Sequence, residues 1–556
     1  MVKHSRHSKG MELRDPVMQS LGFVLSSGWL LFPQVRVLQM VCLQLCASCR
    51  SCVPCTLRVT SGTHVSVWHP REWFLDDLSQ RCKVLSPLSR LPPLRVTHLV
   101  WQRPVWELEQ FVFTTSEKLA PRWTECLKKL SFGPLFDEPI DGIVWPRGLE
   151  EISFGFRFDQ NVDRVVWPDG LSRLTFDAKF NQPVVGVAWP AGLRYVSLGA
   201  AFDQDIRMVK WPPGLRELNL GATFDQQLDG AGWPSGLQRL HLGGRFSQDI
   251  RGVAGESASI FPEGLRILSL GDGFNADLGG VSWPERLETL EFGRAFNQPL
   301  GFEAGVSLPP KLRFLRLGHG FNRSVAGVSW PRELRRVVFG DGFNQSLTGV
   351  RWPESLEELR FGERFDCPLE NVMWPKRLRS LCFGLEFNRP LVGVSLPLGL
   401  EELELGDRFD HELVGVAWPK RLKCIKFGCN FNRSLDSVVW PEGLVSMTFG
   451  TSFNQNMSRV VWPKALRQLT FGLGFAERGE ALFGRSLSTY RGGDCREETG
   501  TEDGLGPENM NGKVGSSKPG RECTALPRGV EWVKVGRMRY HVKPERELKE
   551  KNTHMI

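Results

Sequence analysis

The chain has 556 residues, 41% hydrophobic and 24% charged, an ordinary balance for a soluble protein able to bury a large core. Its formal net charge is +8, yet residues 121–476 carry 41 basic against 41 acidic side chains. A centre with no net charge lacks the basic stripe that phosphate neutralisation needs, which argues against a nucleic-acid binder.

Residues 1–100 show no repeat and read as an N-terminal extension without a defined fold. Leu21–Pro33 is a short apolar run preceded by Lys3, Arg6, Lys9 and Arg14. Two readings stay open for it, a secretory signal core and an extension of no function, because no small-residue cleavage site follows. It is too short to span a membrane, and Pro33 and Arg36 interrupt its extension. The expected location is therefore cytoplasmic, with secretion as the alternative. Thirteen cysteines is an odd number, and five of them bunch at Cys42, Cys46, Cys49, Cys52 and Cys55. This is not a small secreted disulfide framework. The Cys-x-x-Cys spacing suits zinc, but no second pair follows at a finger-like distance. No metal and no cofactor is expected.

From Trp123 onward one pattern dominates. The aromatics are 36 Phe and 19 Trp against 3 Tyr, the mark of a few positions copied many times. Trp145-Pro146 returns as Trp-Pro at 167, 189, 211, 233, 283, 330, 352, 374, 418, 440 and 462. Phe261, Leu308 and Leu396, each before proline, fill the same slot. The period is 22 residues, broken only by six extra residues before Phe261 and three before Leu308. Counting Trp123, sixteen coils result.

Numbered from the leucine after Trp-Pro (Leu149 in the coil that begins there), positions 1, 4, 6, 10, 14, 17 and 19 are apolar. Position 7 is Gly in nearly every coil, position 10 is Phe throughout, and position 11 is almost always Asn or Asp. Apolar 4 and 6 alternate with polar 3 and 5, the signature of a short strand with one buried face. Strands are expected at Leu149–Phe154 and its copies, with glycine 7 turning the chain out of the strand and proline 20 blocking a helix. One coil cannot bury seven apolar side chains alone, whereas stacked coils form a continuous core. The fold class that follows is a repeat solenoid of parallel β coils, leucine-rich-repeat-like, with a 22-residue period and about sixteen coils.

Pro-x-x-Leu-x-x-Leu-x-Phe-Gly-x-x-Phe-Asn-Gln-Pro-Leu resembles the FNIP repeat, a relative of the leucine-rich repeat. The best copies are Phe180-Asn181-Gln182-Pro183, Phe296-Asn297-Gln298-Pro299 and Phe387-Asn388-Arg389-Pro390. The resemblance covers roughly residues 123–476 and implies a scaffold for protein contacts, sometimes fused to an F-box or kinase domain. Neither partner domain has its motifs here, and Trp-Pro stands where the family usually has an aliphatic residue before proline.

The domain limits expected are 1–100 for the extension, 101–484 for the solenoid with a degenerate N-terminal cap, and 485–525 for a disordered insertion rich in Gly, Ser, Glu and Asn. Residues 526–556 make a degenerate capping coil and tail, because Leu526-Pro527 through Val530, Val533, Val535 and Gly536 matches positions 19 to 7 in register. Coincidence is the other reading of that match.

Candidate chemistry is sparse. The Asn/Asp column at position 11 reads as a structural ladder satisfying turn backbone groups. Turned inward, its members in the sequons beginning at Asn322, Asn344 and Asn432 are unfit for glycans, which leaves only Asn456-Met-Ser458. Gly506 to Val514 has the wrong spacing for a phosphate loop and lacks its Ser/Thr. No hydrolase or metalloprotease motif occurs, so no enzyme is expected. What remains is the solvent side of the strands, positions 3 and 5. Near the N-terminal end it offers Ser153, Thr175 and Ser197, and near the C-terminal end Ser446, Thr448 and Thr470. Between them stand Phe314, Arg316, Arg336, Val338, Glu358, Arg360, Glu402, Glu404 and Lys426. Core packing demands nothing large there, and exposed aromatics and arginines are common interface anchors. The expected function is a non-catalytic scaffold that binds a protein partner on this face. The alternative is a secreted or surface recognition protein for a peptide or glycan, and a solvated face with no partner is the plainest reading of all.

Overall fold

The computed structural model describes residues 127–252, 259–457 and 459–475, with Val530 and strand segments at 55–59, 65–68, 96–101, 487–488, 532–535 and 538–542. Leu21–Pro33, Cys42 to Cys52, Ser458 of the last sequon, Gly506–Val514 and residues 489–525 lie outside the described residues. The chain forms two compact units. Unit 1 comprises residues 1–276 and 280–293, and unit 2 residues 277–279 and 294–556.

The alternation of apolar 4 and 6 with polar 3 and 5 produces one short strand per coil, as the sequence expects. Unit 1 holds eight such strands: β4 (Lys129–Phe132), β5 (Glu151–Ser153), β6 (Arg173–Phe176), β7 (Tyr195–Leu198), β8 (Glu217–Asn219), β9 (Arg239–His241), β10 (Ile267–Ser269) and β11 (Thr289–Glu291). Each pairs parallel with the next in unbroken register, so that Ile152 stands beside Leu130 on one side and Leu174 on the other. Before them come β1 (Cys55–Val59), β2 (Val65–Trp68) and β3 (Val96–Trp101). β3 pairs parallel with β4 and with β1, and β2 closes that end antiparallel to β1.

Unit 2 repeats the plan with β12 (Phe314–Arg316), β13 (Arg336–Val338), β14 (Glu358–Arg360), β15 (Ser380–Cys382), β16 (Glu402–Glu404), β17 (Cys424–Lys426), β18 (Ser446–Thr448) and β19 (Gln468–Phe471). β19 then pairs parallel with β21 (Trp532–Val535), which sets Val533 beside Leu469. β22 (Met538–Val542) is antiparallel to β21, and the two-residue β20 (Leu487–Ser488) is antiparallel to β22. The fold is a parallel β solenoid with a 22-residue period. Among the described residues the only helical elements are the single 3-10 turns Phe302–Ala304 and Leu473–Phe475. The first of these takes up the three extra residues before Leu308.

The strands are shorter than the stretch Leu149–Phe154 expected from the sequence. Most span only positions 3 to 5, although the main-chain ladder runs further. Glu150 N and Glu151 N both donate to Lys128 O at 2.8 and 2.9 Å, and Phe154 N donates to Thr175 O at 2.8 Å. Bonds of this kind hold the coils together at positions 2 to 6, and a further main-chain bond recurs at position 9, as from Arg157 N to Pro134 O at 3.0 Å.

The core is built from columns. The position-10 phenylalanines are fully buried and stack on their copies: Phe180, Phe202 and Phe224 at 6.4 and 6.2 Å in unit 1, Phe321, Phe343 and Phe365 at 6.0 Å in unit 2. Burying one such ring is worth roughly 1.5–3 kcal/mol, so each added coil repeats the same gain. Tryptophans at position 19 form a second column, for example Trp145 on Trp167 at 6.0 Å and Trp330 on Trp352 at 5.3 Å. Their apolar bodies serve the core better than their polar ends. Trp233 donates its Nε1–H to Ile260 O at 3.0 Å, whereas the indole N–H of Trp145, Trp167, Trp211, Trp330, Trp352 and several others is buried with no acceptor.

Glycine 7 has a different reason from the sharp turn expected of it. A Cβ on Gly340 would sit 1.9 Å from Gly318 O, and one on Gly362 2.1 Å from Gly340 O. At the glycines of this column consecutive coils touch backbone to backbone, and a side chain there would force them apart; Asp177 is the exception. The left-handed residue recurring through the turns is position 16, as at Gly349 with φ 79°, although Gly199 and Gly221 at position 7 also have positive φ.

Position 11 is a ladder, but not an inward one. Asn181 N donates to Asp159 Oδ1 at 2.8 Å and Asp203 N to Asn181 Oδ1 at 2.9 Å. In unit 2 Asn344 N donates to Asn322 Oδ1 at 2.9 Å and Asp366 N to Asn344 Oδ1 at 3.0 Å. Each carbonyl or carboxylate oxygen thus caps the N–H of the next coil. The side chains point along the stack, and Asn322, Asn344 and Asn388 are exposed. Phe 10 already fills the inside, so its neighbour can reach the next main chain only along the rim.

Candidate binding face

Positions 3 and 5 point away from the core on every strand, so each unit presents two columns of side chains whose identity the packing leaves open. In unit 2 the pairing of β12 through β17 gathers all nine residues singled out from the sequence. Phe314 and Arg316 come from β12, Arg336 and Val338 from β13, Glu358 and Arg360 from β14, Glu402 and Glu404 from β16, and Lys426 from β17. Phe314, Val338, Glu358 and Glu404 are half-buried, and the other five are exposed.

Phe314 lies under two guanidinium groups, with Arg336 Cζ 5.2 Å and Arg316 Cζ 5.9 Å from its ring centre, within the range of a cation–π contact. Glu358 holds two arginines at once. Arg336 Nε lies 3.1 Å from its Oε2, and Arg360 Nε donates to its Oε1 at 2.7 Å. This partner raises the Arg360 pKa further above its ordinary value. Lys426 Nζ reaches Glu404 Oε2 at 3.4 Å. Coulomb attraction links the side chains coil to coil while their upper surfaces stay in solvent, where such pairs add little stability.

The sequence reading passed over Ser380 and Cys382 of β15 and Cys424 of β17, although adding 22 to 358, 360 and 402 finds all three. Ser380 Oγ donates to Glu402 Oε2 at 3.4 Å. Burial pushes the Cys382 thiol up to about 11, with the Glu404 carboxylate adding to the shift. Burial likewise raises Cys424. Both thiols stay protonated at neutral pH, which is the opposite of an activated nucleophile. Among the described residues no group of three or more His, Cys, Asp or Glu is placed to hold a metal, and no helix is long and apolar enough to cross a membrane.

Unit 1 differs from the sequence expectation of a mostly small, polar face. Its position-3 column is charged and paired: Lys129 to Glu151 at 2.8 Å, Arg239 to Glu217 at 3.2 Å, and Arg173 stacked 3.9 Å over the ring of Tyr195. Small residues fill position 5 of its first coils, with Ser131, Ser153, Thr175, Ser197 and Asn219, before His241, Ser269 and Glu291. The contrast therefore lies in one column between β4–β8 and β12–β17, where the latter carry Arg316, Val338, Arg360, Cys382, Glu404 and Lys426 before Thr448 and Thr470 follow.

The FNIP Repeat family model matches residues 274–320, 343–386 and 387–430, which include β12, β14, β15, β16 and β17. No curated protein matches the chain significantly. Similar solved structures include CroV588, described as a novel circular LRR protein, at 26% identity and TM-score 0.47, with 80% of this chain and 69% of that one covered. Another is an internalin from Listeria monocytogenes at 12% identity and TM-score 0.33, covering 65% and 92%. A leucine-rich cell surface protein from Faecalibacterium prausnitzii follows at 10% identity and TM-score 0.11, covering 68% and 86%.

Proposed function

We propose that this solenoid, which carries FNIP repeats and has the leucine-rich-repeat-like fold of interaction scaffolds, is a non-catalytic binding protein whose partner docks on the strand face of β12 to β17. The observation behind this reading is the position-5 column of unit 2. From β12 to β17 most of its side chains are large or charged where packing requires neither, on a backbone that carries serine or threonine at the same position in its first and last coils, at Ser131, Ser153, Thr175, Thr448 and Thr470. Phe314, Arg336 and Arg360 supply the aromatic and guanidinium groups that carry interface energy. Glu402, Glu404 and Lys426 form a polar flank. The raised cysteine pKa values favour binding over chemistry on this face.

The test uses the full chain to capture a partner and then compares variants by affinity. Phe314→Ala and Arg360→Ala should each weaken binding by more than about 1 kcal/mol, with Ser153→Ala unchanged. Unaltered affinity in both folded variants would remove the strand face of unit 2 as the interface.

A further inference from the structure

The β12–β14 end of the face is more specific than a general docking surface. Its charges do not balance. On β13 and β14 the two guanidinium groups of Arg336 and Arg360 share one carboxylate, Glu358. Both Glu358 oxygens are engaged, Oε2 by Arg336 and Oε1 by Arg360. Each arginine meets Glu358 through its Nε edge, and one carboxylate neutralises only one of the two guanidinium groups. The carboxylate holds both guanidinium groups on adjacent strands, where their remaining N–H donors can take a second anion. Beside this pair lie two apolar groups, Phe314 and Val338, both half-buried.

We propose that this end of the face takes an extended peptide segment with an acidic side chain set between Arg336 and Arg360 and an aromatic or aliphatic side chain laid against Phe314 and Val338. The inference rests on the strand face being an interface and names the chemistry of what occupies it. Three strands at about 4.8 Å spacing span roughly 10 Å, the reach of three or four residues of extended chain. The polarity is also set. Glu402 and Glu404 on β16 repel a carboxylate, so the acidic residue belongs over β13 and β14 and not further along.

A displayed library of random linear peptides, selected on the immobilised full chain, tests this directly. Enrichment of Asp or Glu within two residues of an aromatic or aliphatic residue is expected, together with loss of binding as salt is raised. A synthesised member of the enriched set should bind Arg336→Gln and Arg360→Gln at least about tenfold more weakly, and Arg173→Gln unchanged. Unchanged melting curves keep misfolding out of the comparison. Selection without acidic enrichment, or affinity that survives both arginine changes, overturns the proposal. If partner capture still depends on Phe314 in that case, the interface stands and only the acidic segment falls.

Discussion

The strand faces of unit 1 and unit 2 are built on one backbone and end in different surfaces. Both place an aliphatic residue or Met447 at position 4, Phe at 10 and, apart from Asp177, Gly at 7, with the same main-chain bonds between coils. Both carry paired charges at position 3. They part company at position 5, where the first coils of unit 1 run Ser131, Ser153, Thr175, Ser197, Asn219 and the first coils of unit 2 run Arg316, Val338, Arg360, Cys382, Glu404. Columns that pack into the next coil's core or backbone are held fixed by sterics and burial, and a column that faces away from the core is freer to vary. A difference confined to the free column is where function has room to be written.

The sharpest way to break this comparison is at the column said to be common to both units. Gly340→Ala in unit 2 and Gly155→Ala in unit 1 each put a Cβ within 2.0 Å of the preceding coil's carbonyl oxygen. Each should cost more than about 3 kcal/mol or abolish cooperative folding, since backbone cannot yield as a side chain does. Chemical denaturation of the two variants should give similar losses. A tolerated alanine in either unit would mean that the coils there are not in backbone contact.

A smaller effect tests the tryptophan column. Trp352→Phe in unit 2 and Trp167→Phe in unit 1 remove a buried N–H that has no acceptor. Relief of that desolvation, about 1–3 kcal/mol, offsets the lost ring area, and both changes should stay within about 1 kcal/mol of the parent. Trp233→Phe gives up the bond to Ile260 O and should cost more than either. Equal costs at all three positions in thermal melts would contradict this reading of the indoles. Phe261 already occupies the slot in one coil.

Much of this architecture is legible in the sequence, and the parts that are not have physical reasons. A 22-residue period with Phe at every tenth position states which side chains face inward, so the core and the strand register follow from Ile152, Leu174 and their copies. Close approach of two backbones leaves no such trace. Gly at position 7 suggests a turn, and only the placement of Gly318 O beneath Gly340 reveals contact. The Asn column names its bonding groups but not their direction, which is why Asn322 and Asn344 lie along the rim instead of inward. Residues 55–59, 65–68 and 96–101 join the sheet of unit 1 through main-chain bonds without displaying the repeat. On the candidate face, Ser380 and Cys382 look unremarkable in type and were findable only by counting.

The smallest expected effect separates the turns of the two units. In unit 1, Arg207 bonds the Asp205 side chain at 2.6 Å, and Arg207 N donates to Asp205 Oδ1 at 2.9 Å. These bonds lower the Asp205 pKa to about 2. The matching turns of unit 2 use neutral hydroxyls, with Ser324 Oγ accepting from Ala326 N and Ser346 Oγ from Thr348 N. A depressed folded pKa contributes stability above the carboxyl's ordinary value near 3.8 and loses it as the pH falls toward 2. Because the pair is half-exposed, the contribution is slight. NMR titration of Asp205 should give a midpoint near 2, and Arg207→Ala should move it up toward the ordinary value. A midpoint unmoved by that change would rule out the arginine as the cause.

The most direct measurement exchanges the free column itself. Arg316→Ser, Val338→Thr and Arg360→Ser, made together, give β12 to β14 the Ser-Thr-Ser found at position 5 of β5 to β7 while leaving every core column intact. The full chain should keep its melting temperature to within a few degrees, as surface changes do, and should bind the captured partner at least about tenfold more weakly. Undiminished affinity in the folded triple variant would contradict the assignment of function to this face.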